Sequence, residues 1–303
     1  MSYVLETKNL TKKYNGMFAV KDVNMHIEEG DIYGFVGENG AGKTTIMRLI
    51  TGLSLPTSGS FDLFGVDSNS NNINTVKKQL GGIVENVTFT KNMTALDNLI
   101  MQCIMTNTKK TVEELNNLLE KVGLDSKGIE KRKVGNFSLG MRQRLGIAMI
   151  LINSPKFILL DEPMNGLDPQ GIIEMREMIL NLNKEGITFL ISSHILSELD
   201  KIANRVGFIS HGKMLEELSI EELHQKARKK IVLEVNDFSL LKVVFDELLV
   251  KDYEVNNNTI TIFDEIDVNL LMKKLVDNNI LVDKINMVED TIENYYINLI
   301  MRG

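Results

Sequence analysis

Gly37-Glu38-Asn39-Gly40-Ala41-Gly42-Lys43-Thr44-Thr45 is the stretch of sequence that decides the fold of this chain. It matches the phosphate-binding loop (P-loop) pattern G-x-x-x-x-G-K-[ST]. The residues before it, Asp31–Val36, predict a short buried strand, and Thr44–Gly52 predicts a helix. A strand that leads through such a loop into a helix is the setting in which the pattern binds phosphate. A glycine-rich turn with a chance lysine is the alternative.

The residue types in this loop fit a bound nucleoside triphosphate. Glycines let the backbone wrap closely around phosphates and turn successive N–H groups inward. The following helix presents the positive end of its dipole to the same anion. We expect Lys43 to pair with the β- and γ-phosphates and the Thr44 hydroxyl to bind Mg²⁺. The predicted phosphate-binding set is Gly37, Asn39, Gly40, Ala41, Gly42, Lys43, Thr44 and Thr45.

A second segment, Phe157-Ile-Leu-Leu160-Asp161-Glu162, has the form of a Walker B strand, which is an apolar run that ends in two carboxylates. We expect Asp161 to hold Mg²⁺ through its water shell. Glu162 is predicted to accept or orient the proton of the attacking water. Two acids at the end of a strand are often only a solvated turn, and the P-loop upstream is what favours the catalytic interpretation.

Composition bounds the class of protein. The chain has 303 residues, 43% hydrophobic and 25% charged, which is ordinary for one or two soluble globular domains. Apolar runs such as Leu145–Ile152 are far shorter than the roughly 20 residues that cross a bilayer. The N-terminus has no signal-peptide pattern. The single cysteine, Cys103, excludes an internal disulfide and a thiolate cluster, and we expect it to be a core residue in a cytosolic protein.

Charge argues against nucleic acid as a partner. The formal net charge is −7, from 34 basic and 41 acidic residues, so broad attraction to nucleic acid or anionic lipid is not expected to drive binding. Basic clusters occur at Lys131–Lys133 and Arg228–Lys230. A solvated face or a linker explains them better than a phosphate-tracking patch.

The order of predicted elements indicates an α/β domain followed by a smaller one. The first part of the chain combines strand-like and helical segments. The strand-like segments are Tyr3–Leu5, Val20–Ile27, Phe157–Leu160 and Thr188–Ser192. The helical segments are Thr90–Thr108, Thr111–Val122, Arg142–Leu151, Gly171–Asn183 and Leu196–Ala203. Composition changes after residue 217, and glycine is missing from Lys213 until Gly303. In this region strands at Ile231–Val235, Thr259–Phe263 and Leu281–Met287 alternate with helices at Leu240–Leu249, Val268–Asp277 and Thr291–Met301. We therefore predict domains at residues 1–217 and 218–303.

One further segment points to a family. Phe137-Ser138-Leu139-Gly140-Met141-Arg-Gln-Arg144 resembles the signature motif of ABC ATPases, usually Leu-Ser-Gly-Gly-Gln followed by basic residues and Gln. Ser138 and Gly140 fit, whereas Leu139 replaces a glycine and Met141 replaces the glutamine. The motif works as a helix N-terminus with a capping Ser and free N–H groups aimed at a phosphate. Taken alone, an ordinary N-cap serine is the better interpretation.

Other parts of the ABC pattern follow in order. Asn165-Gly-Leu-Asp168 is similar to the D-loop, which in the family contacts the facing subunit. His194 is similar to the switch histidine that hydrogen-bonds the γ-phosphate, and Tyr14 to the aromatic residue that stacks on adenine. A structural histidine and a core or turn tyrosine are the alternatives. The resemblance covers about residues 4–212.

Glu85 departs from the pattern, because the family usually has Gln at this position, in the Q-loop. The resemblance still implies that this carboxylate reaches Mg²⁺ and water. With Phe137–Met141 and Pro163–Pro169, Glu85 resembles the bacitracin-export and lantibiotic-immunity branch of the ABC ATPases. Thr291-Ile-Glu-Asn-Tyr-Tyr296 resembles the C-terminal end common among these exporters.

The resemblance implies a fold and a function. The fold is an α/β P-loop NTPase with an N-terminal antiparallel β subdomain, a helical subdomain that carries the signature motif, and a small α+β C-terminal domain for packing or dimerisation. The function is an ATPase that binds ATP and Mg²⁺, pairs head-to-tail with a second ATPase subunit and drives a separate transmembrane permease. The expected pair is a homodimer. That permease would dock around Glu85–Met101 and export a hydrophobic or peptide antibiotic. The chain would then lie at the inner face of the membrane. A soluble ABC-type ATPase acting on ribosomes or DNA, and a non-hydrolysing regulatory subunit, remain alternatives.

Overall fold

The structure is a computed structural model that describes residues 3–85, 87–124, 128–227, 229–235, 241–256, 259–264, 266–289 and 292–302. Asn86, Arg228, Leu240 and Thr291, which belong to segments named above, lie outside these residues. The chain divides into two compact units, Met1–Ile220 and Glu221–Gly303.

The first unit contains two sheets and a set of helices. Its strands are β1 Tyr3–Tyr14, β2 Met17–Val23, β3 His26–Glu28, β4 Ile32–Val36, β5 Ser58–Leu63, β6 Val66–Asp67, β7 Leu80–Ile83, β8 Phe157–Asp161, β9 Thr188–Ser193, β10 Arg205–Ser210 and β11 Lys213–Ser219. Its helices are α1 Lys43–Thr51, α2 Ile73–Val76, α3 Ala95–Thr106, α4 Val112–Lys121, α5 Leu139–Leu151, α6 Pro169–Lys184 and α7 Leu196–Leu199, with 3₁₀ turns at Lys77–Gln79 and Val134–Asn136.

The larger sheet positions the site. Its strand order is β11-β10-β4-β9-β8-β7, and all neighbours are parallel except β10 and β11. Every residue of β4 and β9 is buried, as expected for parallel strands covered on both faces. Because neighbouring parallel strands end at the same edge, the segments that follow β4, β9, β8 and β7 meet there.

The second sheet packs on the P-loop helix. Strands β2, β1, β5 and β6 are hydrogen-bonded in that order, and β3 also pairs with β1. Helix α1 buries one face, and the side chains on that face join a core cluster with residues of this sheet and of β4: Leu5, Leu10, Val20, Val23, Phe35, Ile46, Met47, Leu49, Ile50, Phe61 and Leu63. The helix that begins at the P-loop is thereby held between the two sheets.

Helices α3, α4 and α5 pack against one another. Helix α3 begins at Ala95, later than the predicted Thr90, because Thr94 caps it. The Thr94 hydroxyl accepts a hydrogen bond from the Asp97 N–H at 3.1 Å, and the Asp97 carboxylate accepts one from the Thr94 N–H at 3.1 Å. Cys103 on this helix is buried, as predicted, and burial raises the pKa of its thiol.

The predicted strand Val20–Ile27 is wrong as a single element, because the structure has β2 and β3 with a break between them. Asp22 has a left-handed backbone, with φ of 51°. The side chain of Asn24 accepts the N–H of Asn9 at 2.8 Å, a backbone group on β1 that strand pairing would otherwise use. The Asn24 side chain therefore takes the place of a backbone hydrogen-bond acceptor between the strands at this bend.

The second unit is a small α+β fold. Its elements are α8 Ile220–Lys226, which begins at the boundary, β12 Lys229–Val235, α9 Leu241–Glu247, β13 Tyr253–Asn256, β14 Thr259–Ile262, α10 Val268–Asp277, β15 Val282–Glu289 and α11 Ile292–Arg302. The antiparallel order is β13-β14-β12-β15. Alternate residues of β12 and β14 form a core with α9 and α10, made mainly of Ile231, Leu233, Val235, Val244, Phe245, Ile260, Ile262, Leu271 and Leu275. Among the described residues of the whole chain, none of the helices has the length and apolar character to cross a membrane.

Candidate nucleotide site

The P-loop lies between the central strand β4 and helix α1, as the sequence predicts. Gly42 adopts φ of 111°, and a Cβ there would lie 2.6 Å from Val20 Cγ1 and 2.9 Å from the Ala19 carbonyl oxygen. Only glycine therefore fits at this position. Strand β2 packs against one side of the loop, and the other side of the loop lines a cavity.

This cavity has a volume of about 200 Å³ and lies beside the start of α1. Its lining consists of Ala19 from β2, Glu162 from the end of the Walker B segment, and the P-loop residues Glu38, Asn39, Gly40, Gly42, Lys43, Thr44 and Thr45. Gly37 and Ala41 complete the loop behind this lining. A Cβ at Gly37 would lie 2.7 Å from the Ile209 carbonyl oxygen, so this glycine permits close backbone packing against β10.

Lys43 is buried at the floor of the loop, with 5% of its surface exposed. Its ammonium donates to the carbonyl oxygen of Gly37 and, at 3.2 Å, to that of Glu38. It also lies 3.3 Å from Glu162 Oε1. A buried ammonium requires partners of opposite charge or polarity, and every one of these partners belongs to the loop or to the Walker B strand.

Two of the three residues predicted to bind Mg²⁺, Thr44 and Asp161, are in direct contact. The Thr44 hydroxyl donates to Asp161 Oδ2 at 2.7 Å, although the two residues are 117 positions apart in sequence. The other oxygen of Asp161 accepts a hydrogen bond from the Ser192 hydroxyl at 2.6 Å. A hydroxyl and a carboxylate oxygen are hard ligands of the kind that Mg²⁺ prefers.

Glu162 lies between two nitrogen groups. Its Oε2 is 2.6 Å from Nδ1 of His194, and its Oε1 faces Lys43. Its backbone is left-handed, with φ of 51°, an uncommon conformation for a residue with a long side chain. The structure thus brings Lys43, Glu162 and His194 together at the ends of the adjacent strands β4, β8 and β9.

Ser192 is a functional residue that sequence reasoning missed. It is fully buried at the end of β9. Its hydroxyl donates to Asp161 and accepts the N–H of Glu162 at 2.9 Å, so one side chain fixes both acids of the Walker B strand. The available signal was its position two residues before His194. That signal gains meaning only once β8 and β9 are known to be neighbours, with Asp161 opposite Ser192.

Glu85 follows β7 and forms an ion pair with Arg48 on helix α1. Both side chains are substantially exposed, and Glu85 has φ of 70°. Its partner in the structure is therefore the P-loop helix and not the Thr44–Asp161 pair. Arg48 is a second residue that the sequence alone did not single out.

Tyr14 lies at the end of β1, 41% exposed. Its hydroxyl is hydrogen-bonded to that of Ser54 at 3.3 Å, and the Lys12 ammonium lies 4.9 Å from the centre of its ring. Tyr14 is absent from the described lining of the phosphate cavity. Its ring is accessible for stacking, and its role in binding adenine stays a prediction.

Ser138 caps helix α5, as predicted, because its hydroxyl accepts the Met141 N–H at 3.2 Å. Gly140 lies in the first turn of the same helix. Among the described residues, neither lines the phosphate cavity. A larger cavity of about 790 Å³ connects the surroundings of α5 with the catalytic strand ends, since Leu139, Arg142, Glu85, Asp161 and Glu162 all line it.

Comparison with known proteins identifies relatives of this chain. The sequence model of the family described as ABC transporter matches residues 20–165. The chain is 42% identical to the bacitracin transport ATP-binding protein BcrA of Bacillus licheniformis over 309 aligned positions, covering 100% of this chain and 99% of the relative. It is 46% identical to the lantibiotic transport ATP-binding protein SrtF of Streptococcus pyogenes, covering 70% of this chain and 89% of the relative.

Among solved structures, the chain is similar to the ADP conformation of an ATP-binding cassette of an ABC transporter. The TM-score is 0.66 at 26% sequence identity, and the match covers 74% of this chain and 95% of that cassette.

Proposed function

Because the chain belongs to the ATP-binding subunits of ABC transporters, we propose that it energises the export of a hydrophobic or peptide antibiotic through a separate membrane-spanning partner. As a member of this family it binds nucleotide and is an ATPase. The transport ATP-binding proteins for bacitracin and for a lantibiotic, to which it is similar, support the choice of cargo class.

The observation that carries the proposal is the convergence of Lys43, Asp161, Glu162 and His194 at one edge of the parallel sheet, beside a glycine-lined cavity. Lys43 supplies a buried positive charge for the β- and γ-phosphates. The loop N–H groups and the N-terminus of α1 add partial positive charge at the same place. Electrostatic stabilisation of phosphate oxygens is the main contribution that proteins make to phosphoryl transfer.

Glu162 is the residue placed to take a proton from the attacking water. Ser192 holds its backbone, so the acid is anchored at the end of β8, and His194 contacts its carboxylate. By the same proposal, His194 donates to the γ-phosphate. A carboxylate fixed within reach of both the histidine and the P-loop lysine is suited to orient a water on the far side of that phosphate.

Thr44 and Asp161 would hold Mg²⁺. Their oxygen atoms lie 2.7 Å apart, so both point at the same place, and they form a donor set of the right chemistry. When bound, the metal would neutralise charge on the phosphates. Glu85 is proposed to contribute to the same ion from the end of β7, which requires its carboxylate to leave Arg48.

The active assembly is proposed to be a head-to-tail pair of ATPase subunits, with the homodimer as the first expectation. Ser138 and Gly140 do not line the phosphate cavity of their own chain, which fits a role toward the nucleotide of a facing subunit. Residues 1–217 would form the ATP-binding domain and residues 218–303 an accessory or dimerisation domain. Attachment to the inner face of the membrane follows from the permease.

The enzymatic part of the proposal is tested by steady-state ATP hydrolysis of the purified chain with and without Mg²⁺. Glu162→Gln should abolish turnover. The matched control is Glu185→Gln, because Glu185 is an exposed glutamate whose partner, Lys121, lies on α4. A Glu162→Gln protein that hydrolyses ATP at the parent rate contradicts the role given to Glu162.

The transport part is tested by isolating the tagged chain from gently solubilised native cells and identifying what accompanies it. A stoichiometric multi-span protein is expected. Resistance to bacitracin or a lantibiotic should then depend on both proteins and be lost with Glu162→Gln. Recovery of ribosomes or DNA in place of a membrane protein would overturn the transport function and leave the ATPase standing.

A further inference from the structure

The start of helix α5 and the turn before helix α6 interlock through two leucines and two glycines. A Cβ placed on Gly166 would lie 3.1 Å from Leu139 Cδ2, and a Cβ placed on Gly140 would lie 3.3 Å from Leu167 Cδ2. Each leucine methyl therefore packs directly over the glycine of the other segment. Leu139 is the residue that stands where the ABC signature motif usually has glycine, so this contact depends on a departure of this chain from the pattern.

Solvent exclusion alone does not explain this contact. Leu139 is 41% exposed, and its neighbour across the contact, Gly166, is also exposed. Gly166 has φ of 74°, which places it in the left-handed turn that only glycine adopts readily. A large apolar side chain that packs on an exposed turn fixes the position of that turn more than it adds to a core.

The turn is connected to the catalytic acid of its own chain. The N–H of Asn165 donates to the carbonyl oxygen of Glu162 at 3.1 Å, and the N–H of Leu167 donates to that of Met164 at 3.3 Å. Helices α5 and α6 are also joined by the ion pair between Arg144 and Glu174 at 3.1 Å. A continuous path of contacts therefore runs from the first turn of α5 through Gly166 to the backbone of Glu162.

We propose that Leu139 is a positioning residue that couples the signature turn, Ser138–Gly140, to Glu162 of the same chain. The inference rests on the proposed function, in which that turn contacts the nucleotide of a facing subunit. When the signature turn closes on the facing phosphate, the Leu139 side chain carries the D-loop turn with it and sets the position of Glu162. Each site then hydrolyses efficiently only when its own signature turn is engaged at the other site.

The test is ATP hydrolysis as a function of ATP concentration for four variants of the full chain. Leu139→Ala removes the methyls over Gly166, and Leu139→Met keeps an apolar side chain of similar reach. Leu167→Ala removes the reciprocal contact. The matched control is Ile173→Ala, an apolar residue of α6 with 39% exposure, close to that of Leu139.

For Leu139→Ala we expect the Hill coefficient to fall to that of independent sites, the coupling between sites to weaken by about 2- to 30-fold, and kcat to fall with it. Binding of ATP to the single subunit and thermal stability should match those of Ile173→Ala. Leu139→Met should restore cooperativity, and Leu167→Ala should reduce it. A merely structural role would lower stability without this change in cooperativity.

Two results would overturn the inference, and they are distinguishable. If the parent chain is cooperative and Leu139→Ala remains equally cooperative with the parent kcat, the coupling role is wrong and the proposed function stands. If the parent chain hydrolyses ATP without cooperativity at any protein concentration, the paired-site function fails and this inference fails with it.

Discussion

Ser192 provides a sharp test of how the site is built, because one buried hydroxyl holds both Walker B acids. We expect Ser192→Ala to lower kcat strongly while the P-loop remains intact. Its hydroxyl donates to Asp161 Oδ1 at 2.6 Å and accepts the Glu162 N–H at 2.9 Å. Alanine leaves one carboxylate oxygen without its donor and one buried backbone N–H without its acceptor.

The size of the effect follows from these two bonds. A hydrogen bond to a charged acceptor contributes about 1.5–3 kcal/mol, and if that amount is lost from the transition state, kcat falls by about 10- to 160-fold. The unpaired Glu162 N–H adds a stability cost of about 1–3 kcal/mol. The assay is steady-state hydrolysis at saturating Mg²⁺-ATP, together with urea unfolding of the same preparations.

Thr188→Val is the matched control for Ser192→Ala. Thr188 is fully buried on the same strand, and its hydroxyl accepts the Gly30 N–H at 2.9 Å, but it lies at the opposite end of β9. Valine removes that hydroxyl with little change of shape. The unpaired Gly30 N–H should lower the free energy of unfolding by about 1–3 kcal/mol, while kcat stays at the parent value. Equal loss of kcat in both variants, or parent kcat in Ser192→Ala, would refute the positioning role of Ser192.

Three further predictions concern other parts of the chain. Glu162→Gln should bind ATP more tightly than the parent, because the carboxylate no longer competes with phosphate for Lys43 and His194. The variant should also trap a dimer that size-exclusion chromatography detects. Weaker ATP binding would contradict this prediction. Glu85→Gln should raise the Mg²⁺ concentration needed for half-maximal hydrolysis by about tenfold, whereas Arg48→Gln, which frees the carboxylate from its ion pair, should not. A shift of the same size in both would assign Glu85 to a structural role. Cys103 should resist thiol reagents at pH 8 until urea unfolds the protein, since burial raises its pKa and limits access, and rapid labelling of the native chain would contradict that placement.

The catalytic motifs could be predicted because each is a contiguous pattern. The segment Gly37–Thr45 contains all the glycines, the lysine and the threonine of the P-loop pattern. The apolar run before Asp161 predicts a buried strand. The contacts of Ser192 and Arg48 could not be predicted in the same way. They depend on β9 lying between β4 and β8, and on β7 ending beside α1, which are facts of strand order that no local pattern encodes.

Errors in the predicted elements have identifiable causes. Period-2 alternation continues through Val20–Ile27, yet the left-handed Asp22 and the side chain of Asn24 end the ladder there. Strand β10 was missed although Val206–Ile209 is a short apolar run, because it follows closely on a helical pattern and contains a glycine. In the structure, Gly207 leaves room for the side chain of Tyr33, since a Cβ at position 207 would lie 2.1 Å from the Tyr33 hydroxyl.

The contacts of Glu162 suggest how bound nucleotide would change the site under the proposed function. Its carboxylate contacts Lys43 and His194, the two groups proposed to bind the γ-phosphate, so a triphosphate and this carboxylate compete for the same two partners. Under the proposed function, the triphosphate takes over Lys43 and His194 and leaves the carboxylate to face the attacking water. Its backbone meanwhile stays fixed by Ser192 and by the turn that Leu139 contacts. The proposed base would therefore change side-chain partners when nucleotide binds, while its backbone stays in place.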